Sequence, residues 1–525
     1  MKIRRRQVVA GAATATYLPL ASREAAAQQA RTMVLAMPGA PEGFDGDALR
    51  PGTQESVTQI YEGLTRYARV QRNGRTWLDG NKIEGALAEK WENSADGKRW
   101  VLTMRAGVKS FYGNELSAAD VEWGWNKSLA QKRTGGFIAS VANVTAVKAL
   151  SQREVEFTLS APSSIFLACL TLYVPGIYDS TEMKKHATAE DPWALKWLET
   201  NSAGYGPYHV ESVRAGEQAV FIANPNYFRG QPNIQRVIYR AVPSGASRIT
   251  LLRTGQAHWI DRPTVQQVVE LQKDNRVKVQ ESDGRAMASV RMNATIKPFD
   301  DVRVRKAFNF AIDQEKLRQA ILLGTGEAAR SIVPPIVAAY DPSHFSYGHD
   351  PAKAKALLAE AGYASGLTVE LSFSDILWWE EQMAVQIADQ LRAVGVTCKP
   401  QRITASDMRA RAAPGKQDMP MFTFEDGPIV LDPIYTMALL AHSKGVSNRA
   451  QYKSAALDAA IDTARTTTDM AERDRLARQA QKIWADDAPW IMTVYPQTFE
   501  AMAPSVSGWV PHPDEHERWF DLKIG

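Results

Sequence analysis

Apolar positions recur along this chain with two periods, and they alternate from strand-like to helix-like stretches. Thr32–Met37 is a near-continuous apolar run and predicts a buried strand. Residues 38–53, rich in Gly, Pro and Asp, predict a loop, and residues 55–67 read as helix. From 86 to 128 the pattern is strand, turn, strand, turn, helix. Trp100-Val-Leu-Thr-Met alternates as a half-buried strand does, and Asp96-Gly97 before it is a hairpin signal. Ser117 followed by Asp120 forms a near capping box that opens the helix running through Lys127. Strands mix with a helix near 247–254 over residues 204–260. Residues 300–323 carry Val302, Val304, Phe308, Ile312 and Leu317 at helical spacing and predict one helix. Asp350 and Pro351 open a helix that Gly362 closes. A strand at 368–373, an amphipathic helix at 380–394 and a helix at 473–484 follow. This mixture predicts α/β lobes, and no internal repeat interrupts it.

The N-terminus has its own pattern. Met1-Lys-Ile-Arg-Arg-Arg precedes a short apolar stretch over residues 8–20, then Ala25-Ala-Ala-Gln28. A charged start, an apolar middle and a small-residue exit predict a cleaved signal peptide over residues 1–30. The pair within Arg4-Arg5-Arg6 resembles a twin-arginine export signal, with an ordinary Sec signal as the alternative. The apolar stretch is short of the roughly 20 residues of a membrane span, and no nearby Cys offers a lipid attachment point. The expected mature protein is soluble and periplasmic. This segment carries Lys2, Arg4, Arg5, Arg6 and Arg23 against Glu24, which accounts for the chain's net charge of +4. The remainder is near neutral, so charge gives no argument for nucleic acid or anionic membrane as a partner.

A chain of 525 residues with 45% hydrophobic positions predicts two or three domains with sizeable cores. The apolar run at 165–178 is too short to cross a bilayer, is interrupted by Pro175 and is expected in the core. Cys169 and Cys398 are the two cysteines; buried thiols and a disulfide both remain open.

Several chemistries lack their motif. There is no GxxxxGK[ST] loop, no GxSxG elbow and no HExxH helix. His512 and His516 are four apart, but Pro513 argues against one helix presenting both, so solvated surface is expected, with a metal pair as the alternative. No metal and no cofactor is implied. Most of the 14 tryptophans are expected in packing.

Five segments together resemble one family. They are Tyr61-Glu-Gly-Leu-Thr; Leu87-Ala-Glu-Lys-Trp91 continuing through Trp100 and Phe111-Tyr-Gly113 to Val121; Tyr205-Gly-Pro-Tyr208 with Asn224-Pro-Asn-Tyr-Phe228; Met292-Asn293 with Pro298-Phe-Asp-Asp-Val-Arg-Val-Arg305 and Ala311-Ile-Asp313; and Tyr347 with Asp350-Pro-Ala-Lys-Ala-Lys-Ala-Leu-Leu358. Their content and order are similar to the bacterial extracellular solute-binding proteins of family 5, which include oligopeptide, dipeptide and nickel binders.

The resemblance implies a two-lobed periplasmic binding protein fold with an additional domain beside lobe I. Lobe I would take residues 31–75, 203–281 and 487–525, the additional domain 76–202, and lobe III 282–486. Hinge closure over the ligand would present a closed face to the permease of an ABC importer and its cytoplasmic ATPase, and a monomer is expected.

The expected cleft residues depart from the family in places. Peptide binders place an Asp ahead of an Asp-Pro in lobe III. Here Asp432-Pro433 is present, but Ile429 stands four before the Pro, so Asp426 takes the role only in a rebuilt loop. Dipeptide binders use an Arg after the strand at 368–373; this chain has Ser374-Asp-Ile-Leu-Trp-Trp379 there, and Trp378 and Trp379 are cleft candidates instead. Arg291, on the segment entering lobe III, is a candidate for a ligand carboxylate or phosphate. Arg50, Thr53 and Gln54 fall in the lobe I loop that contacts peptide backbone in relatives. Trp259, Asp261 and Arg262 end a strand where α/β clefts form. The expected ligand is a peptide or peptide-like solute. An opine-like conjugate, a sugar or a nickel chelate is the alternative within the class, and a periplasmic hydrolase the alternative outside it.

Overall fold

The computed structural model describes residues 31–48, 53–282, 284–374, 377–413 and 415–525. The expected signal segment and Arg50 lie outside them. A seven-stranded sheet runs Lys278–Ser282, Thr498–Met502, Trp259–Ile260, Thr32–Met37, Arg236–Ala241, Gln218–Ala223, Tyr208–Arg214 from edge to edge. Thr32–Met37 is parallel to both its neighbours. A six-stranded sheet runs Glu327–Ala328, Trp490–Tyr495, Met287–Met292, Met421–Asp426, Leu367–Phe373, Val396–Arg402. A four-stranded antiparallel sheet, Ala88–Asn93 to Val144–Ala149, forms the additional domain.

The two large sheets define the two lobes. The chain crosses between them after Ser282 and returns after Tyr495. The return therefore comes later than the expected boundary at 487. Trp490–Tyr495 is buried at every position and pairs with Met287–Met292, which fixes it in the second lobe.

Local signals explain most elements. Ser117 and Asp120 form the capping box of Ala118–Gln131. Asp301, Asp350 and Asp432 each accept a backbone N–H at the start of their helices. The helix expected over 300–323 is two. Ile312 is extended, and the Asp313 side chain accepts from the Lys316 N–H and caps a second helix, Gln314–Leu322. The helix expected over 55–67 is Thr53–Ile60, and Thr65–Arg72 is a strand. At Gly63 the chain passes so close to the Leu170 carbonyl that a Cβ would stand 2.8 Å from its oxygen.

The apolar run around Phe166 lies in the largest core cluster, which also takes in Tyr435 and Trp484 of the second lobe. Polar contacts reinforce this union. The Ser164 N–H donates to the Arg465 carbonyl at 2.7 Å, Arg465 donates to Asn143 at 2.8 Å, and the Leu431 N–H donates to the Tyr67 hydroxyl at 2.8 Å. The additional domain, together with Tyr67 of the first lobe, is thus clasped to the second lobe. Cys169 and Cys398 are free thiols, and burial pushes both above the ordinary range, Cys398 to about 12. No helix among the described residues is long and apolar enough to cross a membrane.

Candidate functional site

The lobes meet where strands of both sheets end. In the first lobe, Trp259–Ile260 runs out into Asp261 and Arg262, and Arg262 takes a positive φ of 30°. In the second, Met421–Asp426 ends on Glu425 and Asp426. Arg285 enters from the crossing segment, and residues 512–518 pass beside it.

Side-chain geometry makes a charged lining. Arg285 pairs with Glu515 at 3.0 Å, and Arg262 approaches the same carboxylate at 3.4 Å. Arg262 lies 3.8 Å from Asp261, and His516 lies 3.5 Å from Glu55. Trp379 donates its indole N–H to Glu425 at 3.2 Å. Arg262 keeps 41% of its side chain accessible. Burial alone would depress its guanidinium, but Glu515, Asp261, Glu500 and Glu425 outweigh that and hold it above the ordinary range.

Beside this lining a cavity of about 570 Å³ opens at the crossings. His512 lines it from the first lobe, Trp77 from the strand Arg75–Gly85 that leads into the additional domain, Ile336 and Glu327 from the second lobe, and Ser282, Arg285 and Gln497 from the crossings. Its size falls within the roughly 300–1,000 Å³ of small-molecule sites. Because both lobes and both crossings form the walls, hinge motion must change its shape.

The carboxyl of Glu425 is pushed up to about 7. Burial is the main cause and Glu515 adds to it, while Arg262, the Trp379 indole and Arg285 pull the other way. The folded protein then holds a proton that the unfolded chain releases between about pH 4.5 and 7. This group's contribution to stability therefore falls as pH rises through that window. Glu425→Gln removes the charge and keeps an acceptor for the indole. Its melting temperature is expected to exceed that of the parent at pH 8 and to match it at pH 5; equal differences at both pH values would contradict the assignment.

The sequence candidates separate into groups. Asp261, Arg262, Trp379 and Asp426 converge at the strand ends. Arg291 does not face the cleft. It has no accessible surface, its Nη2 lies 2.6 Å from Asp426, and its guanidinium sits 3.1 Å over the Trp490 ring. Its expected role toward a ligand anion is corrected, because Asp426 already occupies it. Trp259 is likewise fully buried in the core and packs rather than lines. Trp378 is 37% exposed at the helix entrance. Thr53 is buried, its hydroxyl accepting the Glu42 N–H at 3.1 Å, and Gln54 is half-buried beside it. His516, expected on solvated surface, is buried with Glu55 3.5 Å away, and His512 is half-buried with Asp521 3.7 Å away. Among the described residues no group of acidic, His or Cys side chains is arranged for a metal.

Sequence reasoning missed Glu425, Glu515, Glu517, Glu500 and Arg285. The available signal was the ionisable run His512-Pro-Asp-Glu-His-Glu-Arg518, too dense in charge for a simple turn.

Comparison with known proteins agrees with this geometry. The model of "Bacterial extracellular solute-binding proteins, family 5 Middle" matches residues 82–448. Heme-binding protein A of Haemophilus influenzae is 27% identical, over 96% of this chain and 94% of its own. The probable D,D-dipeptide-binding periplasmic protein DdpA of Escherichia coli is 30% identical, over 89% and 91%. The ABC transporter-associated periplasmic binding protein DppA of Helicobacter pylori, solved with a bound peptide, superposes with a TM-score of 0.81 at 23% identity, covering 95% of this chain and 99% of that one. With its two lobes, its cleft at the crossings and these relatives along nearly its whole length, the chain belongs to the family 5 bacterial extracellular solute-binding proteins.

Proposed function

We propose that this protein is the periplasmic solute-binding component of an ABC importer and that it captures a peptide or peptide-like organic solute between its lobes. The observation that carries the reading is the cavity of about 570 Å³ bounded by both crossings, with ionised groups of both lobes turned toward one another beside it. A ligand that touches Arg262 on one side and Glu425 on the other stabilises the closed arrangement, because only there does it meet both. Relatives named for dipeptides and glutathione favour the peptide class. A structural neighbour solved with mannopinic acid keeps an opine-like conjugate as the second reading. Export through the twin-arginine or Sec route and a monomeric state complete the proposal.

The test combines mass spectrometry of solute that co-purifies with a thermal-shift panel of peptides, sugars and opines. At a hundredfold excess over Kd, a bound peptide is expected to add about 2.7 kcal/mol of stability. Stabilisation by sugars or opines alone would overturn the peptide reading. Saturable binding without product is expected; turnover of a peptide would make the protein a hydrolase.

A further inference from the structure

We propose that the cleft selects solutes carrying a positively charged group, an ammonium or guanidinium in addition to any peptide terminus, and that the Glu425 carboxylate is its counter-ion. The inference rests on the reading of the interlobe cleft as the ligand site and names the ligand class.

Charge balance is the first argument. Asp261, Glu425, Glu500 and Glu515 all act on Arg262, and Glu517 lies close to Glu500 and Asp261. Arg285 supplies a second cation, already paired with Glu515, and His516 faces Glu55. Carboxyl groups therefore outnumber guanidiniums around the cleft, and burial together with this crowding holds Asp261, Glu425, Glu500 and Glu517 above the ordinary range. An anionic guest at Arg262 meets Glu515 and Asp261 already beside it, whereas a cationic guest relieves the surplus.

Unmet acceptors give a second, independent argument. Glu500 is 2% exposed, burial and the neighbouring Glu517 and Asp261 hold its carboxyl well above the ordinary range, and its Oε2 has no hydrogen-bond partner among the described residues. Gln280, directly opposite Glu500 in the antiparallel strand pair, leaves its Oε1 equally without a donor. Glu425, half-buried at the strand end of the facing lobe, accepts the Trp379 indole N–H on Oε2. Buried acceptors in native proteins are met by donors as a rule. An ammonium or guanidinium brings several donors and no acceptor.

A further consequence follows for pH. The elevated Glu425 carboxyl, faced by Glu515, Arg262, Arg285 and Trp379, must lose its proton to hold a cation. Affinity for a cationic solute is therefore expected to rise between pH 6 and 8.

The experiment is isothermal titration of the full chain with alanyl-arginine, alanyl-leucine and alanyl-glutamate, all with free termini. Alanyl-arginine is expected to bind at least about tenfold more tightly than alanyl-leucine, with alanyl-glutamate weakest. Glu425→Gln, confirmed folded by its melting curve, is expected to compress the preference to less than about threefold. Glu472→Gln, on a remote helix surface, is expected to preserve it. Equal affinities for the basic and neutral dipeptides, or an undiminished preference in Glu425→Gln, would overturn the inference and leave the peptide reading standing. If none of the dipeptides binds, the peptide reading fails, and agmatine decides the charge inference: binding that is lost in Glu425→Gln supports it, and no binding overturns it.

Discussion

Lys127→Ala is expected to cost about 3–5 kcal/mol of folding stability, the range for removing one partner of a buried ion pair. Lys127 sits on Ala118–Gln131 of the additional domain with no accessible surface. Its ammonium lies 2.7 Å from Asp45 and 3.8 Å from Asp47, both on the N-terminal loop of the first lobe. Tyr178 donates its hydroxyl to Asp45 at 2.6 Å, and the Gly135 N–H donates to Asp47 at 2.6 Å. Lys127 thus holds two carboxylates and ties lobe to domain, and the half-exposed Arg133 approaches Asp45 at 3.6 Å from the other side. Alanine leaves both carboxylates buried with only the half-exposed Arg133 near Asp45, and their mutual repulsion returns. The pH dependence separates this account from simple loss of packing. Burial alone would raise Asp45, yet Lys127 and its hydrogen bonds hold it below the ordinary range, while burial keeps Asp47 above it. The Asp45 contribution is present above its unfolded pKa and is lost as pH falls through the depressed folded value. In Lys127→Ala both folded carboxyls rise, so the variant recovers as acid protonates them. Urea unfolding is therefore expected to show a large deficit at pH 7.5 that narrows by pH 4.5. A loss below about 1 kcal/mol, or a deficit unchanged with pH, would contradict the role assigned to Lys127.

What the sequence made legible was local. The Ser117–Asp120 box, Asp350-Pro351 and the Asp96-Gly97 turn each act within a few residues, and each is where it was expected. Asp313 marks the limit of such reading. Its neighbours keep helical spacing, so the pattern of apolar positions concealed a cap that breaks the helix. The strand at Thr65–Arg72 is another case, since its pairing with Arg75–Gly85 and its contact with Leu170 override a helix-like sequence. The candidate residues were legible as strand ends, and their pairings were not. Asp261 and Arg262 could be named because clefts form where strands stop, and Asp426 because it stands ahead of Asp432-Pro433 as in the peptide binders. That Glu515 joins Arg285 to Arg262 depends on chain segments hundreds of residues apart. The run from His512 to Arg518 looked solvated because its partners, Glu55, Arg285 and Asp521, include residues remote in sequence.

Asp426→Ala is expected to destabilise the fold by about 3–5 kcal/mol before it affects any ligand. The reason is Arg291, four positions from the start of its strand and sealed within the sheet face. Met287 stands opposite Asp426 and Arg291 opposite Phe422, so the acid reaches back along one face of the strand pair to the guanidinium. Burial lowers Arg291 to about 10, against the pull of Asp426. Its Nε and Nη1 have no partner among the described residues and lie over aromatic rings, so Asp426 is its one hydrogen-bonded counter-ion. Removing that carboxylate leaves a charge in an apolar face. Replacing both residues, Arg291→Met with Asp426→Ala, removes the charge together with its counter-ion and is expected to recover most of the loss, since buried pairs exchanged for apolar groups are often neutral. The coupling energy from the double-mutant cycle is the measurement that decides. Coupling of several kcal/mol, with the double variant still binding its solute, makes Asp426 a structural partner of Arg291. Additive losses, or binding abolished in a double variant that melts normally, would return Asp426 to the ligand.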